Sequence, residues 1–273
     1  MSPAASFNLD AYLDRIGYTG PRTPTASVLA EIQFRHVCTI PFENLDLHLG
    51  RGIRIDLASI ERKLVHDRRG GYCFEHNTLL GAALTALGFV VTPLAARVRW
   101  QVPADIETAL THMILLVEAE GQRFLADGGF GSGSLSAALL LDTEAEQTTP
   151  HDVRRLVREG SAFSHRIKLS DEWAEVYRFT LQPTLTVDYE MANWFTSTWP
   201  QSRFRLNLTA ALTSPDRRAS LLNREFTLRF NDGRVEKRQL ETPDELLSVL
   251  ANHFGLSFPA GTRFGSPGAP WPA

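Results

Sequence analysis

The hydrophobic spacing of this chain changes period once, at Gly88, and that change restricts what it can fold into. Ahead of Gly88, apolar residues recur three and four positions apart: Leu9, Tyr12, Leu13, Ile16; Val28, Leu29, Ile32, Val37; Leu57, Ile60, Leu64, Val65; Leu79, Leu80, Ala83, Leu84, Leu87. Such stripes mark amphipathic helices. Gly17 closes the first helix and Thr25 caps the second, which must end before Pro41 because the residue preceding a proline resists the helical region. Asp56 caps a third, predicted to run until the Gly70-Gly71 pair stops it. Past Gly88 the spacing moves toward every second residue. Strands are predicted over residues 89–100, 111–118, 122–126, 177–187, 204–212, 218–230 and 234–240. Turns are expected at Glu120-Gly121 and Asn231-Asp232-Gly233, and a glycine-rich loop over 127–134. Residues 142–165 are polar and read as a long excursion. Thr242-Pro243-Asp244-Glu245 is a capping box opening a last helix along Leu246, Leu247, Leu250 and Phe254, stopped by Gly255. The Gly- and Pro-rich tail from Phe258 should lie over the surface as coil. Helices first, then mostly antiparallel strands, then a mixed end give an α+β fold.

Composition excludes several classes of partner. With 273 residues, 43% apolar, 22% charged and a net charge of −3, nothing points to nucleic acid or an anionic membrane. No apolar run reaches the roughly 18 residues that a spanning helix needs. The opening MSPAASFNLDAY lacks a charged-then-apolar leader pattern, so the cytoplasm is the expected location. Cys38 and Cys73 are too few for a disulfide scaffold and form no CxxC, the histidines form no HExxH, and no metal site is expected.

Chemistry concentrates around Arg69-Gly70-Gly71-Tyr72-Cys73-Phe74-Glu75-His76-Asn77. Cys73 stands at the turn into a helix, where unpaired N–H groups and the helix dipole favour an anion. Near a histidine, a thiol so placed can fall below its free pKa of about 8.5 and act as a nucleophile. The two glycines would leave room for a substrate carbonyl. A cysteine in an apolar helix is most often plain packing, so its chemistry depends on partners. His112 opens a predicted strand and Asp127 ends the next. Around the Glu120-Gly121 turn they fall near the same open end of a hairpin, where a carboxylate can orient an imidazole.

These motifs, RGGYCFEHN, TH and ADGGFG with IPFENLDLH upstream, resemble the arylamine N-acetyltransferases. The order Cys73, His112, Asp127 is similar to that family's triad, and NWFTST and Ser202-x-Phe204 extend the likeness. One departure is Gly128, where the family commonly carries Val or Ala, which suggests a looser loop. The resemblance implies three parts: a helical bundle over 1–88 holding the nucleophile, a β-barrel-like domain over 89–200 holding His and Asp, and an α/β lid over 201–273. The first of these would pack like the papain-type cysteine enzymes. It implies ping-pong transfer of acetyl from acetyl-CoA, the cosubstrate, through an acetyl-Cys73 thioester to an arylamine, arylhydroxylamine or hydrazine. Phe42, Val98, Trp100, Phe130 and Phe204 align with acceptor-pocket positions; Thr111, Gly129, Ser202 and Asn207 are candidates for CoA contacts. Arg69 and Glu43 are expected to pair and brace the cysteine loop. An amide-forming acyltransferase using a carrier protein, and a cysteine peptidase, would employ the same triad.

Overall fold

Side chains that the sequence places at helix starts close those starts in a computed structural model, which describes residues 7–265. The leader reading at the very N-terminus and the end of the tail lie outside these residues. Asn8 accepts the Ala11 N–H ahead of α1 (Leu9–Arg15), and Thr25 accepts the Val28 N–H ahead of α2 (Ala26–Thr39). After Pro41 come β1 (Phe42–Glu43) and α3 (Leu45–His48). Asp56 caps α4 (Leu57–Glu61), which widens into a π-turn over Arg62–His66.

The helix ends there, short of Gly70-Gly71. Arg68 turns left-handed at φ +52°, and Gly71 then bridges to Phe42. The expected gap for a substrate carbonyl is also absent. A Cβ at Gly70 would fall 1.9 Å from the Pro41 carbonyl oxygen, and one at Gly71 2.5 Å from the Glu75 carboxylate. Both glycines let protein approach protein, directly ahead of α5 (Cys73–Ala86).

The predicted first three strands are β2 (Val90–Val98), β3 (Leu110–Ala119) and β4 (Gln122–Ala126). They join β5 (Leu139–Leu140), β6 (Gln147–Thr148), β7 (Val153–Glu159), β8 (Ala162–Leu169) and β9 (Glu172–Pro183). The antiparallel order is β5-β4-β3-β2-β9-β8-β7-β6. Gln147 of β6 draws the open edges together: its amide accepts the Leu140 N–H at 2.7 Å and donates to the Leu140 carbonyl at 2.9 Å. The polar 142–165 segment is therefore sheet and not an excursion. Arg154 alternates inward with Leu156 and is fully buried, so a charged residue stands at an inward position and breaks the apolar pattern.

The strand predicted over 177–187 ends at Pro183 and gives way to α6 (Thr186–Thr198). The one predicted over 204–212 divides into α7 (Arg203–Leu206) and β10 (Thr209–Ser214). The long 218–230 strand is a hairpin of β11 (Arg217–Leu222) and β12 (Glu225–Phe230), turned at Asn223 with φ +53°. β13 (Val235–Gln239) completes a second antiparallel sheet ordered β1-β10-β11-β12-β13, so Phe42–Glu43 from the helical region forms its edge. The last helix, α8 (Pro243–Phe254), has the predicted capping box, and Gly255 ends it at φ +66°. The tail is coil through Gly265 and mostly exposed or half-buried, as expected, with one exception. Phe264 is 1% exposed and packs with Leu246, Leu250 and Phe254. Phe264→Ala should therefore cost about 3 kcal/mol or more in denaturant unfolding, whereas Val235→Ala on exposed β13 should change stability by under about 0.5 kcal/mol.

Candidate active site

The turn into α5 is braced by charge from behind. The Glu75 carboxylate accepts the Tyr72 N–H at 2.9 Å and pairs with Lys63 at 2.8 Å. Lys63 also reaches Asp46 at 2.7 Å, and Arg69 pairs with Glu43 at 2.7 Å and Asp46 at 3.3 Å. The predicted Arg69–Glu43 pair is thus one edge of a larger network. Burial disfavours the Lys63 charge, but the surrounding Glu75, Glu43 and Asp46 carboxylates outweigh it and raise its pKa. Cys73, the first residue of α5, emerges from this frame 3% exposed. Its thiol donates to the carbonyl of Thr111, the residue just ahead of His112 on β3, at 3.7 Å.

His112 and Asp127 meet as the predicted hairpin requires. The register sets Leu115 opposite Ala126, so His112 and Asp127 face each other diagonally at the open end. His112 Nε2 lies 2.8 Å from Asp127 Oδ2. A carboxylate can only accept, so Nε2 carries the proton and Nδ1 is left toward the thiol. Burial alone would lower the His112 pKa; the charge and hydrogen bond of Asp127 overrule it, with the Cys73 thiol adding, and raise it. Burial would likewise raise the Asp127 pKa, but His112 and further donors lower it. The pair is therefore imidazolium and carboxylate at neutral pH.

Those further donors include a residue to which sequence reasoning gave no role. Asn77, one helical turn beyond Cys73, donates to Asp127 Oδ1 at 2.9 Å and to the Met113 carbonyl at 2.6 Å, and accepts the Gly128 N–H at 2.9 Å. The i+4 spacing from Cys73 was its available signal. Two arginines, one fully buried and one half-buried, hold the loop after Asp127. Arg154 donates to the Gly133 carbonyl at 2.9 Å, Arg218 to those of Ser132 at 3.0 Å and Ser134 at 3.2 Å, and both pair with Asp152. Ser134 Oγ accepts the Phe130 N–H at 2.9 Å, which passes this restraint to Phe130. The loop is not loosened by Gly128: a Cβ there would meet the His36 ring at 2.9 Å, so His36 occupies the space.

Of the other residues predicted to belong to the site, only Thr111 and Gly129 touch Cys73 itself. Phe130 stands edge-on to His112 at 5.1 Å, backed by Tyr177, whose ring also contacts His112. Phe204 packs against Phe42 at 6.0 Å and Tyr72 at 5.6 Å, forming a second aromatic wall. Val98 is half-buried opposite Tyr177, and Trp100 packs at the border of the barrel core. Thr111 is half-buried beside the thiol. Gly129 is in backbone contact with Cys73, since a Cβ would fall 2.7 Å from Cys73 Cα. Ser202 is buried, with its hydroxyl donating to the Thr196 carbonyl and accepting the Phe204 N–H. Asn207 donates to the Arg203 carbonyl and accepts from Asn223, so both side chains support the turn carrying Phe204. Among the described residues no group of His, Cys, Asp and Glu could hold a metal.

A buried thiol, a charged imidazole and an orienting carboxylate on an α+β frame form the equipment of a cysteine acyl-transfer enzyme. A family model described as N-acetyltransferase matches residues 25–262. The chain is 40% identical to an arylamine N-acetyltransferase of Escherichia coli over 91% of its length and 88% of the relative. It is 39% identical, with the same coverage, to a Salmonella typhimurium protein named arylamine N-acetyltransferase / N-hydroxyarylamine O-acetyltransferase. The Mycobacterium marinum arylamine N-acetyltransferase solved with CoA superposes at a TM-score of 0.87, with 37% identity and coverage of 91% of this chain and 92% of that one. The chain belongs to the arylamine N-acetyltransferase family.

Two outcomes test this geometry. Gly129→Ala should destabilise the fold by about 1–3 kcal/mol and slow alkylation of Cys73, because the new Cβ displaces the Cys73 backbone. A raised His112 pKa lends stability that is complete below about pH 6.5, the ordinary histidine value, and is lost as pH rises through the folded value. The stability advantage of the native protein over Asp127→Asn should therefore shrink with rising pH above about 6.5 in denaturation series.

Proposed function

We propose that this chain transfers acetyl from acetyl-CoA to an arylamine, arylhydroxylamine or hydrazine by a ping-pong route through Cys73. The observation that carries the proposal is the His112–Asp127 contact of 2.8 Å beside the Cys73 thiol. The names of the relatives, and the CoA held by one of them, support the choice of substrates. A cysteine thiolate attacking a thioester expels another thiolate, so the first half-reaction has little driving force either way. His112, as imidazolium, stabilises the Cys73 thiolate. The N–H of Cys73, the first of α5, is a donor for the carbonyl oxygen as it gains charge. The departing CoA thiolate takes the proton of His112 and leaves as the thiol, so acetyl-Cys73 and a neutral imidazole remain. The acceptor then attacks as the neutral amine and His112 takes its proton, while Asp127 keeps the ring oriented.

In this proposal Phe42, Phe130 and Phe204 form the acceptor walls, with Val98 and Trp100 further out. Thr111 and Gly129 lie where the thioester end of CoA must arrive, and Ser202 and Asn207 shape the adjoining turn. The labour divides among residues 1–88 with the nucleophile, 89–200 with its base and carboxylate, and 201–273 with the aromatic wall. We place the activity in the cytoplasm; no helix among the described residues is long and apolar enough to cross a membrane. Incubation with acetyl-CoA and no amine should add about one acetyl group to the intact mass, discharged by an added arylamine and absent in Cys73→Ala. A protein that stays unmodified while Cys73 still reacts with a thiol reagent would instead point to a carrier-protein acyltransferase or a peptidase.

A further inference from the structure

Tyr12, His36 and His76 form a buried chain of hydrogen bonds that the reaction above does not use. Tyr12 Oη lies 3.0 Å from His36 Nδ1, His36 Nε2 lies 2.9 Å from His76 Nδ1, and His76 Nε2 lies 3.1 Å from the Pro41 carbonyl oxygen. None of the three side chains is more than 1% exposed. The carbonyl end sets the direction. It can only accept, so His76 Nε2 donates. Burial lowers the pKa of both rings, that of His76 to about 4 despite its bond to Pro41, so each ring carries one proton. His76 Nδ1 therefore accepts from His36 Nε2–H, and His36 Nδ1 accepts from the Tyr12 hydroxyl.

The chain ends on a segment that bears on the acceptor. The Pro41 carbonyl also accepts the Gly71 N–H at 3.3 Å, and the Glu43 N–H donates to the Gly71 carbonyl at 2.7 Å. Phe42 lies between these two anchored peptide groups, and its ring stacks on the His76 ring at 6.1 Å with an 18° interplanar angle. We propose that His76 is a positioning residue for the acceptor, its Nε2–H holding the Pro41 carbonyl and so the Phe42 wall. The Pro41 carbonyl fixes this tautomer, and Nδ1 is then satisfied as the acceptor of the His36 N–H. The inference rests on Phe42 being an acceptor wall, as proposed above.

Glutamine and asparagine separate the two ring nitrogens: the Gln amide nitrogen reaches the place of Nε2, whereas the Asn amide ends at that of Nδ1. His76→Gln should keep the acceptor KM within about twofold of the native value, and His76→Asn should raise it about tenfold, the worth of one buried hydrogen bond. Formation of acetyl-enzyme from acetyl-CoA, read by mass in single turnover, should stay within about twofold in both, since Glu75 and Lys63 brace the Cys73 turn without His76. Tyr12→Phe, which cuts the far end of the chain, should lower Tm without moving the acceptor KM. Equal KM for the Gln and Asn variants, a loss confined to acetyl-enzyme formation, or a KM rise in Tyr12→Phe would each overturn the proposal. Should the Asn variant fail to fold, 15N NMR of the native protein decides: protonated Nε2 and bare Nδ1 on His76 support it, and the opposite tautomer overturns it. Absence of acetyl-enzyme in the native protein would remove the functional reading itself, while the NMR result would still judge the hydrogen-bond chain.

Discussion

A carboxylate with no exposed surface must find all its partners in the protein, and Asp127 is such a group. One oxygen takes the His112 ring; the other takes the Asn77 amide and the Gly129 N–H. These donors come from β3, α5 and the glycine loop, so one buried charge ties three segments to a single geometry. Remove it, and the His112 ring N–H, the Gly129 N–H and one of the two Asn77 amide hydrogens lose their acceptor, which is the expensive state for a polar group inside a protein. The position of the Cys73 thiol follows, because Asn77 and Cys73 share one helix, one turn apart.

Around this centre, interior charge is used repeatedly to hold backbone. Arg69 and Lys63 grip the carboxylates behind the cysteine turn, and Arg154 and Arg218 grip consecutive carbonyls of the loop that carries Phe130. Arg154 lies on the barrel sheet and Arg218 on the C-terminal sheet, and Asp152 pairs with both. The C-terminal sheet is accordingly tied to the glycine loop through Arg218 and Asp152. Its edge strand, Phe42–Glu43, belongs by sequence to the helical region, so the first and last parts of the chain share one sheet.

Much of the local architecture was legible because it is written in contacts within a helical turn or across a short hairpin. Caps at Thr25, Asp56 and Thr242, the stop at Gly255, the β3–β4 turn, and the His112–Asp127 meeting all depend on neighbours few residues apart. Pattern failed where an element's residues answer to distant partners. Arg154 faces inward because Asp152, Gly133 and His165 satisfy it, so an arginine-studded strand resembled loop. Phe264 looked like tail and is core, because α8 offers it a bed.

By itself the sequence determined the change from helical to strand period, the identity and order of Cys73, His112 and Asp127, and the motifs that mark the family. Those properties reside in residue types and short spacings. The tertiary structure alone decided that Gly70 and Gly71 admit Pro41 and Glu75 and not a ligand, that His36 fills the space beside Gly128, and that the Asn44 amide orders the Phe204 turn from 160 residues away. The physical reason is common to all three. Close packing depends on which surfaces the chain brings together, and that is set by long-range contacts that no local spacing encodes.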